Sequence, residues 1–291
     1  MQTDHAWVRS DWQVADTIVA GTSTRYSGYS TTPALAENNL GINVGDVPQL
    51  VQRNRQGLAR LIGAQCRSQH HSQHLSQHLS QHLSQGDGQS PEPVDVQWLD
   101  QVHGSDCVYV GADSDLNAAP QADAMWTDQP GLALAIQSAD CVPVVMTDTL
   151  GTVVGAAHGG WRGLVAGVLP ELVRAMSAKP SDLHAWVGPC ISRAYFEVGQ
   201  DVWRPIKRIC AEAVYPHSTD SDKRLVDLPL LAQRQLQAGG VRSVSQSGLC
   251  TYASAAFYSH RQATHAQGQG ADTGRMATVV CRIAPRTPSA H

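Results

Sequence analysis

The fold is decided by residues 132–176, LALAIQSADCVPVVMTDTLGTVVGAAHGGWRGLVAGVLPELVRAM. Three apolar runs follow one another, at 132–137, 142–147 and 152–157. Each is short, rich in Val, Ile or Ala, and bounded by turn residues, which marks a strand covered on both faces. Asp148-Thr149-Leu150-Gly151 joins the second run to the third and reads as a hairpin turn. After His158-Gly159-Gly160 the period lengthens. Trp161, Leu164, Val165, Val168, Leu169, Leu172, Val173 and Met176 form a helical stripe. Pro170 lies inside that stripe and predicts a kink or a split at Leu169.

Working outward, Asp46-Val47-Pro48 opens a helix, with Asp46 as its cap and proline in the first turn. Leu50, Val51, Leu58, Leu61 and Ile62 give it an apolar face to about Gly63. Residues 94–99 read as a strand leading into Gln101-Val102-His103-Gly104. Downstream, 185–187 is a strand before Gly188-Pro189-Cys190, and 201–213 and 228–236 are helical, the second closed by Gly239-Gly240. Strands follow at 243–246 and 276–283, the last apolar enough to be internal. Hairpins mix with helices and no βαβ unit repeats. The expectation is an α/β (α+β mixed) architecture of mixed sheets covered by helices, not a doubly wound parallel sheet.

Composition narrows the class. The chain has 291 residues, 42% hydrophobic but only 5% aromatic, so its core must be built from Val, Leu, Ala and Ile. A net charge of −4 argues against nucleic acid as a partner, which would need clustered Lys and Arg. No run of 18 apolar residues predicts a membrane span. The opening MQTDHAWVRSDWQVAD has no apolar h-region, so no signal peptide is expected. Seven cysteines without framework spacing fit a reducing cytoplasm. One domain over 1–291 is expected, with a low-complexity insertion at about 67–92. Its centre, SQHHSQHLSQHLSQHLSQ at 68–85, repeats every four residues. In a helix, His70, His74, His78 and His82 would put neighbours on one face able to bind zinc or nickel, although the composition suits a disordered insertion.

Three segments place a soft or borderline metal ligand at a strand end beside glycine or a turn: QVHG with His103, SADC with Cys141, and AAHGGWRG with His158. Zinc accepts one Cys with two His, and three protein ligands leave a fourth position open, which is the catalytic pattern. Taken singly, each has a plain alternative. A histidine at a strand end is commonly a hydrogen-bonded residue, and a cysteine in an apolar strand an inert small hydrophobe. HGGWRG adds glycines that let backbone approach a ligand, a helix start with free N–H groups, and the planar cation of Arg162. Together these suggest an anion site beside the metal. Alternatively, they make only a tight turn and a surface ion pair.

Short motifs along almost the whole chain carry a resemblance. They include Thr24-Arg25, Ser27-Gly28-Tyr29-Ser30, Asn39-Leu40-Gly41, Asn54-Arg55, Gln101-Val102-His103-Gly104, Asp123-Ala124, Ala139-Asp140-Cys141-Val142-Pro143 and His158-Gly159-Gly160-Trp161-Arg162-Gly163. Gly188-Pro189-Cys190-Ile191, Tyr195-Phe196-Glu197-Val198, Phe257-Tyr258-Ser259-His260-Arg261 and Thr273-Gly274-Arg275 complete the series. The chain resembles the YfiH/YlmD family, the laccase-domain or "multicopper polyphenol oxidase" proteins. Departures are few: Tyr29 interrupts a usual Gly-Gly, Asn38 replaces a leucine, and His260 replaces an aromatic.

The resemblance implies a four-layer α/β/β/α fold like that of a bacterial cytotoxin hydrolase, and zinc at His103, Cys141 and His158. It implies phosphorolysis of adenosine, inosine, guanosine and methylthioadenosine, and deamination of adenosine, by a monomer or weak homodimer. Arg25, Asn39, Gln101 and Arg162 are the candidate substrate contacts, with Arg25 and Arg162 for phosphate. Cys141 and His158 stand in the catalytic set. Asp140 is the candidate proton carrier, or else only the brace of the Cys141 turn. Copper would accept the same ligands. A four-copper oxidase is disfavoured, because the chain has no H-x-H pair and five of its 13 histidines lie in the repeat. A metal-free hydrolase with Cys141 as nucleophile and His158 or His103 as base uses the same residues, and a metal-buffering protein would use the repeat.

Overall fold

The computed structural model describes residues 3–4, 6–77 and 93–283. Two six-stranded sheets form its centre. The first runs, edge to edge, Thr3–Asp4, Trp7–Arg9, Ile18–Ser23, Met276–Arg282, Leu132–Ser138, Asp95–Gln97. The second runs Ser243–Gln246, Leu183–Val187, Val142–Asp148, Val154–Gly159, Ala124–Thr127, Cys107–Tyr109. Both are mixed: most pairs are antiparallel, while Asp95–Gln97, Ser243–Gln246 and Cys107–Tyr109 pair parallel to their neighbours. A small third sheet joins Glu197–Val198, Arg224–Val226 and Val214–Pro216.

The period-two alternation of each strand sorts its side chains into layers. Leu132, Leu134 and Ile136 point to the same core as Ile18, Val280, Val145, Val154 and Trp186, so the two sheets pack face to face. Ala133, Ala135, Ala277 and Val279 face the other way, onto Leu58 and Ile62 of the helix Pro48–Gln77. Alanine predominates there because a helix must come close. On the second sheet, Val142, Val144 and Met146 meet Leu164, Leu169, Leu172, Ile206 and Leu231 from the helices on its outer face. The layers are therefore helix, sheet, sheet, helix: the four-layer α/β/β/α arrangement.

The hairpin falls where the sequence put it. Thr147 pairs with Val154, and the Asp148 carboxylate accepts from the backbone N–H groups of Thr152 and Val153 and from the Thr152 hydroxyl. Met276–Arg282 is central, as its apolarity required.

Three expectations need correction. The helical stripe breaks at Gly167, not at Leu169. Gly167 closes the six-residue helix Trp161–Ala166 at φ +94 and caps Val168–Ala175. Pro170 then sits in the first turn of the second helix, where its missing N–H costs nothing. Asp46 does not cap the first helix. One of its oxygens accepts from the adjoining Val47 N–H, and the other from the Ser30 hydroxyl and the Asn39 amide. Finally, the helix does not stop near Gly63 but continues to Gln77, into the start of the histidine repeat. The rest of the repeat and its flank, residues 78–92, lie outside the described residues. The strand Ile18–Ser23 and the helix His260–Gln267 were not anticipated. Among the described residues, no helix is long and apolar enough to cross a membrane.

Candidate metal centre

The chain passes from the first sheet to the second through Ala139-Asp140-Cys141, between Leu132–Ser138 and Val142–Asp148. Register does the rest. Val142 pairs with Gly159 and Pro143 with His158, so the next step outward sets Cys141 beside Gly160. A Cβ on Gly160 would lie 3.3 Å from the Cys141 Sγ and 2.7 Å from the His103 Cδ2. Glycine is required there because two ligand side chains occupy that space.

His103 arrives from a distant loop and is fixed by Asp123. The Asp123 side chain is fully buried at the start of Ala124–Thr127. Its carboxylate accepts from the backbone N–H groups of Val102, His103 and Gly104, at 3.1, 3.0 and 2.6 Å. The same carboxylate lies 2.8 Å from the His158 Nδ1. An Nδ1–H donated to Asp123 leaves the His158 Nε2 lone pair free for the cluster, the usual carboxylate–histidine support of a metal ligand. One carboxylate thus aims both histidines. His103 itself takes φ +62, a left-handed conformation held by these bonds.

The ligand atoms of His103, Cys141 and His158 lie within 4.8 Å of one another. The Cys141 Sγ is 4.0 Å from the His103 Nε2. The two imidazole rings meet nearly edge to face, with centroids 4.8 Å apart. Burial opposes a thiolate at Cys141. The nearby charge of His158, hydrogen bonds from both histidines and the charge of His103 outweigh it, holding the thiol down at about 6. Burial likewise opposes a charged His158, but the thiolate and Asp123 raise it to about 9. A metal ion would take the place of the His158 Nε2 proton as the cation that stabilises the thiolate. A sulfur anion and two imidazoles fit zinc, with no fourth protein ligand in the group.

The cluster opens onto a cavity of about 770 Å³, within the size range of small-molecule sites. The other sequence candidates fare differently. Arg162 lines the cavity but is exposed, with its guanidinium 4.5 Å from the Trp161 ring centroid. Gln101 also lines it, yet its amide is docked onto the Gln137 backbone by two bonds of 2.8 Å. Asp140 is held at φ +89, and its carboxylate accepts from Thr251, Ser259 and the Arg261 backbone. This geometry braces the Cys141 turn. Asn39 and Arg25 are not among the residues lining this cavity. Asn39 is fully buried, accepts from the Gly41 and Arg275 N–H groups, and donates to the Gly41 carbonyl and Asp46. Arg25 donates to the Ala36 carbonyl and lies over Tyr258.

Sequence reasoning missed the role of Asp123 and the cavity arginines Arg55 and Arg275. The signal for Asp123 was a lone carboxylate between two alanines, a position too apolar to leave an acid without partners.

Comparison with known proteins places the chain. The family model described as multi-copper polyphenol oxidoreductase laccase matches residues 19–92 and 89–283. The chain belongs to this family, the YfiH/YlmD laccase-domain proteins. Among family members, a purine nucleoside phosphorylase of Pseudomonas aeruginosa is 34% identical, over 95% of this chain and 98% of its own. The purine nucleoside phosphorylase YfiH of Escherichia coli is also 34% identical, over 94% and 97%. A Neisseria meningitidis protein superposes with a TM-score of 0.78 at 32% identity, covering 96% of this chain and all of its own. YlmD from Geobacillus stearothermophilus gives 0.78 at 28% identity, covering 98% of each. The four layers are thus the laccase-domain fold.

Proposed function

We propose that this chain is a zinc-dependent purine nucleoside phosphorylase, acting on adenosine, inosine, guanosine and methylthioadenosine, and that it also deaminates adenosine. The observation that carries the reading is the His103–Cys141–His158 group opening on a cavity that arginines line. The names of the relatives supply the substrate class. When bound, zinc would supply Lewis acidity at the position the protein leaves open.

In phosphorolysis a phosphate oxygen bonds to the anomeric ribose carbon as the carbon–nitrogen bond to the purine breaks. The bonding pair leaves with the base, which then takes up a proton. The residues of this chain meet those demands in a simple way. Arginines hold the anionic nucleophile and balance its charge. Ile191, Phe196 and Leu228 give the cavity an apolar side that limits access of water, the competing nucleophile. Asp140 acts as a positioning residue, keeping Cys141 on its strained turn. Copper could replace zinc on the same three ligands, but one such group among the described residues does not make a multi-copper cluster.

A second reading has its own observation. Cys141, His158 and Asp123 stand in the order thiolate, base and orienting carboxylate, which suits a cysteine nucleophile. Chromatography of adenosine incubated with enzyme separates the two. The phosphorylase reading expects adenine and ribose 1-phosphate only when phosphate is present, with turnover lost on chelation and regained with zinc. Turnover that survives complete metal removal supports the cysteine nucleophile instead. No product at high enzyme concentration contradicts the purine nucleoside assignment.

A further inference from the structure

The cavity wall opposite in chemistry to the thiolate is formed by residues 41–44 with Arg55 and Arg275. Its construction is specific. The Arg55 Nε donates to the Leu40 carbonyl, and the Leu40 N–H donates to the Arg275 carbonyl, so one residue ties both arginines down. The Asn39 Oδ1 accepts from the N–H groups of Arg275 and Gly41. Gly41 has no room for a side chain, since a Cβ would come within 2.8 Å of the Arg275 Cγ. The Arg55 Cζ lies over the Trp98 ring, 3.9 Å from its centroid. Both side chains are therefore preorganised, with little rotamer freedom left to lose on binding.

Arg275 feels the negative charge of Cys141, Asp140 and Asp272 through space, without a direct ion pair. Neither guanidinium has a carboxylate within ion-pair distance among the described residues. The Arg55 Nη2 is buried and makes no hydrogen bond. Arg275 spends only Nη1, on the Thr273 and Gly274 carbonyls. Burial works against the charged form of each, lowering Arg55 to about 10 and Arg275 below its ordinary value. Both remain cations at neutral pH. Two partly buried cations on a cavity wall, with N–H groups unspent, suit an anionic ligand. Arg162, by contrast, is exposed at the start of a six-residue helix.

We propose that Arg55 and Arg275, rather than Arg25 or Arg162, form the phosphate subsite of the cavity, gripping a tetrahedral oxyanion through their free N–H groups. The assignment rests on the phosphorylase reading for its role in turnover, but not for the binding of the anion. Asn39 is then a positioning residue, acting through Arg275 and Gly41.

The test is titration calorimetry of the full, metal-loaded chain with inorganic phosphate alone, paired with steady-state kinetics in phosphate and adenosine. Arg55→Lys and Arg275→Lys keep charge and stem but lose the planar fork, and thermal melting checks that both stay folded. Each should weaken phosphate binding, and raise the KM for phosphate, by about tenfold, the effect of one charged hydrogen bond. The KM for adenosine should stay within about twofold. Unchanged phosphate binding in both variants overturns the subsite, as does a loss that appears only in Arg162→Lys. Arginine-dependent phosphate binding without adenosine turnover in the unmodified chain leaves the subsite standing and removes the phosphorylase reading.

Discussion

His103, Cys141 and His158 stand on backbone fixed by a hairpin register and one buried carboxylate, whereas Arg55 and Arg275 reach the same cavity from a helix and a loop tied together at Asn39 and Leu40. The first wall is built from strand ends, with Gly160 clearing space and two residues, His103 and Asp140, held at positive φ. The second has no unusual backbone at Arg55 or Arg275 and uses long side chains over partners such as Trp98. A metal demands ligand atoms within tenths of an ångström, so its wall is set by main chain. An anion tolerates more play, so its wall can be set by side chains. Substitutions should therefore be severe and local on the metal wall and graded on the arginine wall.

The largest effect is expected from Cys141→Ala. Turnover should fall by about a thousandfold, as when one member of a group that acts as a unit is removed, while circular dichroism stays native. Full activity would break the comparison by removing Cys141 from the site. Asp123→Asn should come next. It withdraws the charged acceptor from three backbone N–H groups and from His158, lowering metal affinity about 10–100-fold and stability by about 3 kcal/mol. Competition with a chromophoric chelator and thermal melting read the two terms separately. Gly160→Ala pushes a methyl group into His103 and should weaken metal binding roughly tenfold with a smaller change in stability.

Titration of Cys141 sharpens the same wall. Its thiol is lowered to about 6 in the folded chain, so the thiolate is present above that pH and lost below it. In chelator-treated protein, alkylation of Cys141 by iodoacetamide should rise with a midpoint near 6. A midpoint in the ordinary thiol range of about 8.5 would show that the histidines do not hold it. The smallest effects belong to the outer helices. Gly167→Ala should cost about 1 kcal/mol because φ is +94 there, and Pro170→Ala under about 0.5 kcal/mol because proline sits in a first turn.

The metal wall was readable in the sequence because strand ends announce themselves. QVHG, SADC and HGGWRG each set a ligand beside a turn or glycine, and the hairpin around Asp148 fixed which residues face each other. Mixed sheets covered by helices followed from the same apolar runs, and the four-layer order from the family resemblance. Asp123 was hidden because its partners lie about twenty residues or more away along the chain, and nothing local shows that a carboxylate is shared. Arg55 stood in the sequence only as part of the Asn54-Arg55 motif, and only the fold lays Trp98 beneath it. Asn39 and Arg25 lie outside the lining of this cavity. Polar residues in a loop resemble ligand contacts, yet the hydrogen bonds of Asn39 are made inside the protein. The break at Gly167 was assigned to Pro170 because proline is the stronger breaker in a helix interior. Once glycine restarts the helix, the proline is no longer interior.

The most direct test is elemental analysis of two forms of the full-length chain. In the first, His70, His71, His74, His78 and His82 are changed to Gln, so that the repeat cannot contribute. The second adds Cys141→Ala. The account predicts about one zinc per chain in the first and none in the second. No metal in the first form, or equal metal in both, would contradict a centre held by His103, Cys141 and His158.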